Sequence, residues 1–269
     1  MTKLRTDRLL LARGLAESRT RARALIEAGM VESDGRRISR PGELLAEDAP
    51  LRLVGRDHPW VSRGGIKLDH ALEHFGLEVE GLLCLDLGAS TGGFTDVLIS
   101  RGAKRVYAVD VGHGQLHERL RADPRVISME GVNARYLAAD QVPEPIDLLV
   151  CDASFISLKR LLPAPLALVK PGGGLVVLIK PQFELSAAAI GKGGVVRDPA
   201  LHAQACDAVT SWLAQQTGWR VEGVIASPIT GPSGNREFLM KASKGRDWIN
   251  ASGPPAPEED SGADPPPGR

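Results

Sequence analysis

With 269 residues and 43% hydrophobic content, the chain can fill one large domain, or a medium domain with a small appendage. Its 33 basic and 33 acidic residues cancel overall but not locally: residues 1–63 hold thirteen Lys/Arg against nine Asp/Glu, a surplus of four, and the remainder holds twenty against twenty-four. A basic end of this kind suits a polyanionic partner. Cys84, Cys151 and Cys206 are odd in number and widely spaced, with no Cys-x-x-Cys or paired-His pattern. That indicates neither a disulfide framework nor a zinc site, and it fits a reducing cytoplasm. The apolar triplet near the amino terminus is broken by arginines well short of signal-peptide or membrane-span length.

From Thr6 to Val31 the chain reads TDRLLLARGLAESRTRARALIEAGMV. This predicts two helices, the first capped by Thr6 or Asp7 and the second by Ser18 or Thr20, ending at Gly29. Leu25 and Ile26 are expected to face inward, and Arg19, Arg21 and Arg23 outward. A strand at Met30–Glu32, a Ser33-Asp34-Gly35 turn and a strand ending near Leu53 complete a small basic unit. This helix, turn, helix and hairpin order resembles the S4-like RNA-binding fold. The resemblance implies contacts to RNA phosphates and shape, with Arg5, Arg8, Arg19, Arg21 and Arg23 as candidates. The linker GRDHPWVSRG contains Pro59, which resists helix, and Trp60, expected to pack on one of the two units. A boundary near residue 60 gives domains of 1–59 and 60–249.

The helical spacing of Leu68, Ala71, Leu72 and Phe75 predicts a helix in which Lys67 lies one position off the apolar stripe, facing a cleft or water. Next, LLCLDLGASTGGFTDV joins an apolar run to a helix through a glycine loop. Glycines admit a ligand close to the backbone, and the helix start presents unpaired N–H groups. Gly88-Ala89-Ser90-Thr91-Gly92-Gly93 departs from G-x-G-x-x-G, and Gly93-Phe94-Thr95 lacks the lysine of a P-loop. Asp86, just before the loop, would repel a pyrophosphate but suits a ligand with a positive centre, such as S-adenosylmethionine (SAM).

Beyond the loop, strand-like runs at Arg105–Asp110, Arg125–Met129, Ile146–Asp152, Gly174–Lys180, Trp219–Ser227 and Glu237–Lys241 alternate with helices. The helices are expected at Phe94–Arg101, Gln115–Arg121, Leu158–Leu168 and Leu201–Thr217. This is a doubly wound, Rossmann-like α/β sheet. The last two strands are too close for an intervening helix, so the final strand is antiparallel and the sheet seven-stranded, the methyltransferase variant of the fold. From Asn250 the proline, glycine and acidic residues cannot form a core, and residues 250–269 read as a disordered tail.

Ligands of open α/β sheets bind beyond the carboxyl ends of the strands. Asp110 ends the second strand, where a carboxylate accepts hydrogen bonds from ribose hydroxyls; Asn133, after the third, is either a contact to the base or a turn residue. The fourth strand ends Cys151-Asp152-Ala153-Ser154-Phe155, without the Asn/Asp-Pro-Pro-aromatic clamp of amino-group methyltransferases, which favours a hydroxyl acceptor. Lys180 follows an apolar strand and requires an acidic neighbour. The long connection after Pro181 holds Gly191, Gly193 and Gly194, with Lys192 and Arg197 available for phosphate and a shape suited to closing over RNA.

The segments SRGGIKL, DLGASTGGFTD, CDASFIS, IKPQFE, GKGGVVRD and SPITGPSGNREFL together resemble the TlyA family. Its members are ribosomal RNA cytidine 2′-O-methyltransferases with an S4-like domain before an FtsJ-like catalytic domain, and the family has also carried a haemolysin label. The resemblance implies SAM as cofactor, held by Asp86, Gly88, Ala89, Ser90, Thr91, Gly92, Gly93, Phe94, Asp110, Asn133 and Asp152. It implies 23S and in some members 16S rRNA as substrate, and sensitivity to capreomycin-type antibiotics. Arg63 joins the RNA contacts, and the protein is expected as a cytoplasmic monomer on ribosomal RNA or subunits, with no metal and no membrane.

The family's Lys–Asp–Lys–Glu pattern falls on Lys67, Asp152, Lys180 and Glu237. A ribose hydroxyl is a very weak acid, so methylation needs an acceptor for its proton and support for the developing alkoxide. A lysine near ~10.4 must be brought toward ~7–8 to serve as that acceptor. Lys180 is the expected base, Lys67 the cation, and Asp152 and Glu237 their orienting carboxylates. One departure stands out: family members carry a Gly-Arg pair where this chain has Leu185-Ser186-Ala187, which removes a basic RNA contact but leaves the chemistry.

Overall fold

The computed structural model describes residues 3–245, apart from Glu17, Arg56, Asp57, Lys192, Pro232 and Ser233. The expected tail from residue 250 lies outside the described residues. The amino-terminal unit comprises β1 (Lys3–Arg5), α1 (Thr6–Ala12), α2 (Arg19–Glu27), β2 (Val31–Ser33), β3 (Arg36–Arg37), β4 (Leu44–Ala46) and β5 (Leu51–Leu53). Strand β2 lies between β3 and β5, and β1 pairs with β4. Leu10, Leu25, Ile26, Val31 and Ile38 form its separate core. Ser18 caps α2 by accepting from the Arg21 amide at 3.1 Å.

Neither Thr6 nor Asp7 caps α1, contrary to the expectation from sequence. Their side chains have other partners: Thr6 Oγ1 donates to the Glu43 carbonyl at 2.9 Å, and Asp7 accepts from Arg5 and Arg19 at 2.9 and 3.2 Å. Asp7 is wholly buried, so its carboxylate depends on those two guanidiniums.

The second unit follows with α3 (Gly64–His74), β6 (Leu83–Leu87), α4 (Gly93–Ser100), β7 (Arg105–Asp110), α5 (Glu118–Arg121), β8 (Val126–Glu130) and β9 (Ile146–Cys151). Next come α6 (Leu158–Leu161), α7 (Pro163–Leu168), β10 (Val169–Ile179), α8 (Pro181–Glu184), α9 (Pro199–Ala214), β11 (Trp219–Ala226) and β12 (Phe238–Lys244). The sheet order is β11-β12-β10-β9-β6-β7-β8, with β12 antiparallel to both neighbours. The central strands are apolar on both faces, as a doubly covered sheet requires. On one face Leu149, Leu175 and Val177 meet Leu162, Val209 and Leu213 of the α6, α7 and α9 layer. On the other, Cys84, Val106 and Val176 meet Leu68, Leu72, Val97 and Leu98 of α3 and α4.

Several element boundaries differ from expectation, three of them for a clear local reason. The helix expected over Leu158–Leu168 breaks in two at Leu162, because Pro163 has no N–H to continue it. Helix α5 starts at Glu118 rather than Gln115, since the Gln115 and Leu116 amides are drawn to the Glu130 carboxylate at 2.8 and 3.1 Å. Strand β10 begins at Val169, and a register shift between Val169 and Gly174 absorbs the glycines.

The two guanidiniums hold Asp7 down at about 2: hydrogen bonds from Arg5 lower it most, burial works in the opposite direction, and Arg19 lowers it further. Unfolded, the group takes up a proton near pH ~4, so the pair's contribution is complete above that pH and is lost as pH falls through about 2. We predict that Asp7→Ala lowers the opening free energy of the amino-terminal unit by about 1–3 kcal/mol at pH 7. Hydrogen exchange of the full chain should show this, with the gap from wild type shrinking below pH ~4; equal protection at pH 7 would refute it.

Candidate active site

The glycine loop lies between β6 and α4, and its backbone leaves little choice of residue. Gly88 has φ 79°, and an added Cβ would lie 2.9 Å from the Ala153 Cα. Gly92 has φ 97°, and a Cβ there would meet Leu120 Cδ1 at 2.3 Å. Ser90 is itself left-handed at φ 47°, its amide held by Asp110 Oδ2 at 2.8 Å. Asp110 Oδ1 accepts from the Gly112 amide at 2.7 Å, so this carboxylate joins the loop to the end of β7. The loop, the half-buried Asp110 and the end of β9 lie side by side at the carboxyl ends of the strands, with Gly88 packed directly on the Ala153 backbone.

Asp86 and Phe94, both expected on the cofactor, are buried. Asp86 is fully buried and accepts from Thr95 Oγ1 at 2.6 Å, so it ties α4 to β6 beneath the loop. Burial pushes its carboxyl up to about 7, the Thr95 hydrogen bond opposes this, and the nearby Asp152 charge adds to the rise. Phe94 is 3% exposed and belongs to the α3–α4 core. Asn133 is exposed, and its Oδ1 accepts from the Arg135 amide at 3.1 Å as a turn residue does, with its NH2 group left for other contacts.

Lys67, Asp152, Lys180 and Glu237 converge where α3, β9, β10 and the start of β12 meet. Asp152 Oδ1 is 2.6 Å from Lys180 Nζ, and Asp152 Oδ2 is 3.4 Å from Lys67 Nζ. Lys67 Nζ is also 2.7 Å from Glu237 Oε2. The four charges sum to zero, which reduces the cost of burying them. Burial alone would lower the Lys67 pKa, but Asp152 and then Glu237 outweigh it, and the net direction is upward. Asp152 is held low for the matching reason: burial would raise it, and Lys180 and Lys67 prevail. Lys67 is therefore a fixed cation between two carboxylates. Lys180 Nζ has the Asp152 carboxylate on one side, the Ser154 hydroxyl at 2.8 Å and the Asp152 carbonyl at 3.3 Å.

Among the candidate RNA contacts, Arg8, Arg21 and Arg197 are exposed. Arg5 and Arg19 are committed to Asp7, and Arg23 lies 3.9 Å from Glu27. The outward arginine face is thus partly a structural ion-pair cluster. Arg63 immediately precedes α3 and is half-buried, its amide donating to the Glu27 carbonyl at 3.3 Å. Lys192 lies outside the described residues.

Three residues near the centre were not singled out from sequence. Ser154 bonds Lys180, as given above. Phe155 is 90% exposed at φ 65°, with its ring 5.3 Å from that of Phe183; a bulky residue at positive φ beside a charged cluster is a functional signal that composition does not carry. Asn235, buried, accepts from the Val196 amide at 2.9 Å and donates to the Gly194 carbonyl at 2.9 Å. His202 Nε2 lies 3.0 Å from the Val196 carbonyl. Asn235 thereby fastens the glycine-rich connection beside Glu237, whose Oε1 would stand 2.3 Å from a Cβ on Gly231. We predict that Asn235→Ala, losing two buried bonds, lowers protection of the 194–198 amides by about 1–3 kcal/mol, read by hydrogen exchange of the full chain. Unchanged exchange there would show that the connection is held by other contacts.

Two family models match the chain: the S4 domain over residues 4–49 and the FtsJ-like methyltransferase over residues 60–244. The 16S/23S rRNA (cytidine-2′-O)-methyltransferase TlyA of Mycobacterium tuberculosis is 47% identical over 239 residues, covering 88% of this chain and 89% of that protein. YqxC of Bacillus subtilis, provisionally named an rRNA methyltransferase, is 45% identical, covering 88% and 85%. A solved structure from Streptococcus thermophilus, provisionally described as a haemolysin, superposes with a TM-score of 0.71 at 44% identity, covering 91% and 90%. By both domains and by similarity along most of its length, the chain belongs to the TlyA family of FtsJ-like methyltransferases that carry an S4 domain.

Proposed function

We propose that this protein transfers a methyl group from SAM to the ribose 2′-hydroxyl of cytidine in ribosomal RNA, with 23S and 16S RNA both as substrates, in the cytoplasm where ribosomes are made. The observation that carries this reading is the chain of ion pairs Glu237–Lys67–Asp152–Lys180, beside a glycine loop at the carboxyl ends of the strands. Loss of the modification would alter sensitivity to capreomycin-type antibiotics.

The loop and its surroundings suit SAM: the loop lies at the carboxyl ends of the strands, and Asp110, which holds the Ser90 amide, stands where ribose hydroxyls are bound. When bound, SAM supplies an electrophilic methyl on a sulfonium. Everything else falls to the chain's own residues. To act as the base, Lys180 first gives its own ammonium proton to solvent; the neutral Nζ then takes the proton released by the attacking hydroxyl, and an incoming ribose replaces Ser154 Oγ as its partner. Lys67, kept charged by Asp152 and Glu237, supports the negative charge developing on the oxygen. Asp152 fixes both lysines with one carboxylate, which sets proximity and angle together. Phe155 offers an open aromatic face on which a base can stack. Arg8 and Arg21 present charge to the phosphates, a contribution without sequence information.

Lys180→Ala should lower single-turnover methyl transfer to ribosomal subunits by about 10²-fold or more, with SAM affinity by calorimetry within about threefold of wild type, as expected when only a transition-state contact is removed. Near wild-type transfer would defeat the assignment of Lys180 as base. Mapping 2′-O-methylated cytidines on both rRNAs, after expression in a host lacking the activity, tests the substrate; no new methylated ribose on either RNA would refute it.

A further inference from the structure

Glu27 ends α2, the helix carrying Arg19, Arg21 and Arg23, yet its carboxylate faces the other unit. Glu27 Oε2 accepts from Thr91 Oγ1 at 3.3 Å, in the middle of the glycine loop. The Glu27 carbonyl accepts from the Arg63 amide, so side chain and backbone both cross the boundary between the units. Thr91 is buried, and its own carbonyl accepts from the His117 amide at 3.1 Å. Its neighbours Ser90 and Gly92 both have left-handed backbone. Such a segment keeps its shape only when its surroundings hold it, and Glu27 is the partner of its side-chain hydroxyl. Burial raises the Glu27 carboxyl, with Arg23 and Thr91 opposing the rise.

We propose that Glu27 is a positioning residue for the cofactor loop, through which the amino-terminal unit strengthens SAM binding and couples it to RNA. This rests on the SAM and RNA reading given above. Arg23, 3.9 Å from Glu27, is the element common to both sites. Arg23 meets Glu27 at Oε1 and Thr91 at Oε2, so a phosphate that draws Arg23 away leaves the carboxylate's full charge to accept from Thr91, and the loop is held more firmly. RNA then tightens SAM, and by linkage SAM tightens RNA by the same factor. None of this requires Glu27 to touch SAM or the reacting atoms.

The test uses the full chain, with SAM affinity measured alone and with saturating large ribosomal subunits from a host lacking the modification. Glu27→Ala and Thr91→Val should each weaken SAM by about fivefold to tenfold, and the double variant should be no worse than either single one. Glu27→Gln, which keeps an acceptor oxygen, should restore affinity to within about twofold of wild type. In turnover, the Glu27→Ala loss should appear as a raised KM for SAM with kcat retained, and its SAM affinity should no longer tighten on adding subunits. Circular dichroism and amide exchange outside the loop should match wild type, separating positioning from misfolding. Unchanged SAM affinity in Glu27→Ala, additive losses in the double variant, or failure of Glu27→Gln to restore binding overturns the proposal. Failure of the wild-type protein to bind SAM brings down the cofactor reading first, and the positioning role with it.

Discussion

Asp152 divides one carboxylate between two lysines, and much of the second unit's architecture follows from that contact. Lys67 and Lys180 are each less than a tenth exposed, and neither can stay charged there without an acid within reach. Satisfying both from one aspartate requires the start of α3 to lie against the carboxyl ends of β9 and β10. Glu237 brings β12 to it as well. That meeting sits at the carboxyl edge of the sheet, where parallel strands leave their loops, so the fold's own geometry opens the site to a large substrate. Removing any one member would leave an uncompensated buried charge, so the chain of ion pairs constrains the fold as well as the chemistry.

The glycine loop imposes a second constraint. Gly88 and Gly92 are needed because neighbouring atoms occupy the space a side chain would take, and Ser90 holds a conformation its own chemistry does not favour. The strain is met by partners outside the loop: Asp110 on Ser90, Leu116 and Leu120 over Gly92, and Glu27 on Thr91. Two of these supports come from β7 and the segment leading into α5, and the third comes from the amino-terminal unit. The glycine loop is therefore held from both units, with Glu27 as its contact from the amino-terminal one.

The alternating apolar runs made the sheet legible in the sequence, because buried parallel strands have no polar face to obscure them. Lys67, Asp152, Lys180 and Glu237 were legible as a set only through motifs, since residues so far apart in the chain carry no periodic signal of being neighbours. What the sequence concealed were side-chain allegiances. Asp86 looked like a ligand contact because it stands before a glycine, but Thr95, nine residues on, takes its carboxylate into the core. Asp7 looked like a helix cap, but two arginines claim it. Pro163 was visible, and weighing its missing N–H against the apolar spacing would have divided the helix correctly.

The arginines of the amino-terminal unit illustrate how charge counting and function diverge. The surplus of four positive charges in residues 1–63 suggests a broad phosphate surface. In the fold, Arg5, Arg19, Arg36 and Arg52 pair with Asp7, Glu43 or Glu32, holding the unit's short strands and helices together. Each remains substantially exposed and can still meet a phosphate, but only by sharing with its acid. Arg8 and Arg21 are exposed and have no ion pair among the described residues. Such a surface mixes cations already shared with acids and cations without one among the described residues. In the second unit the balance is reversed: the exposed ring of Phe155 stands within a few residues of Asp152, whose carboxylate is largely buried and paired with both lysines.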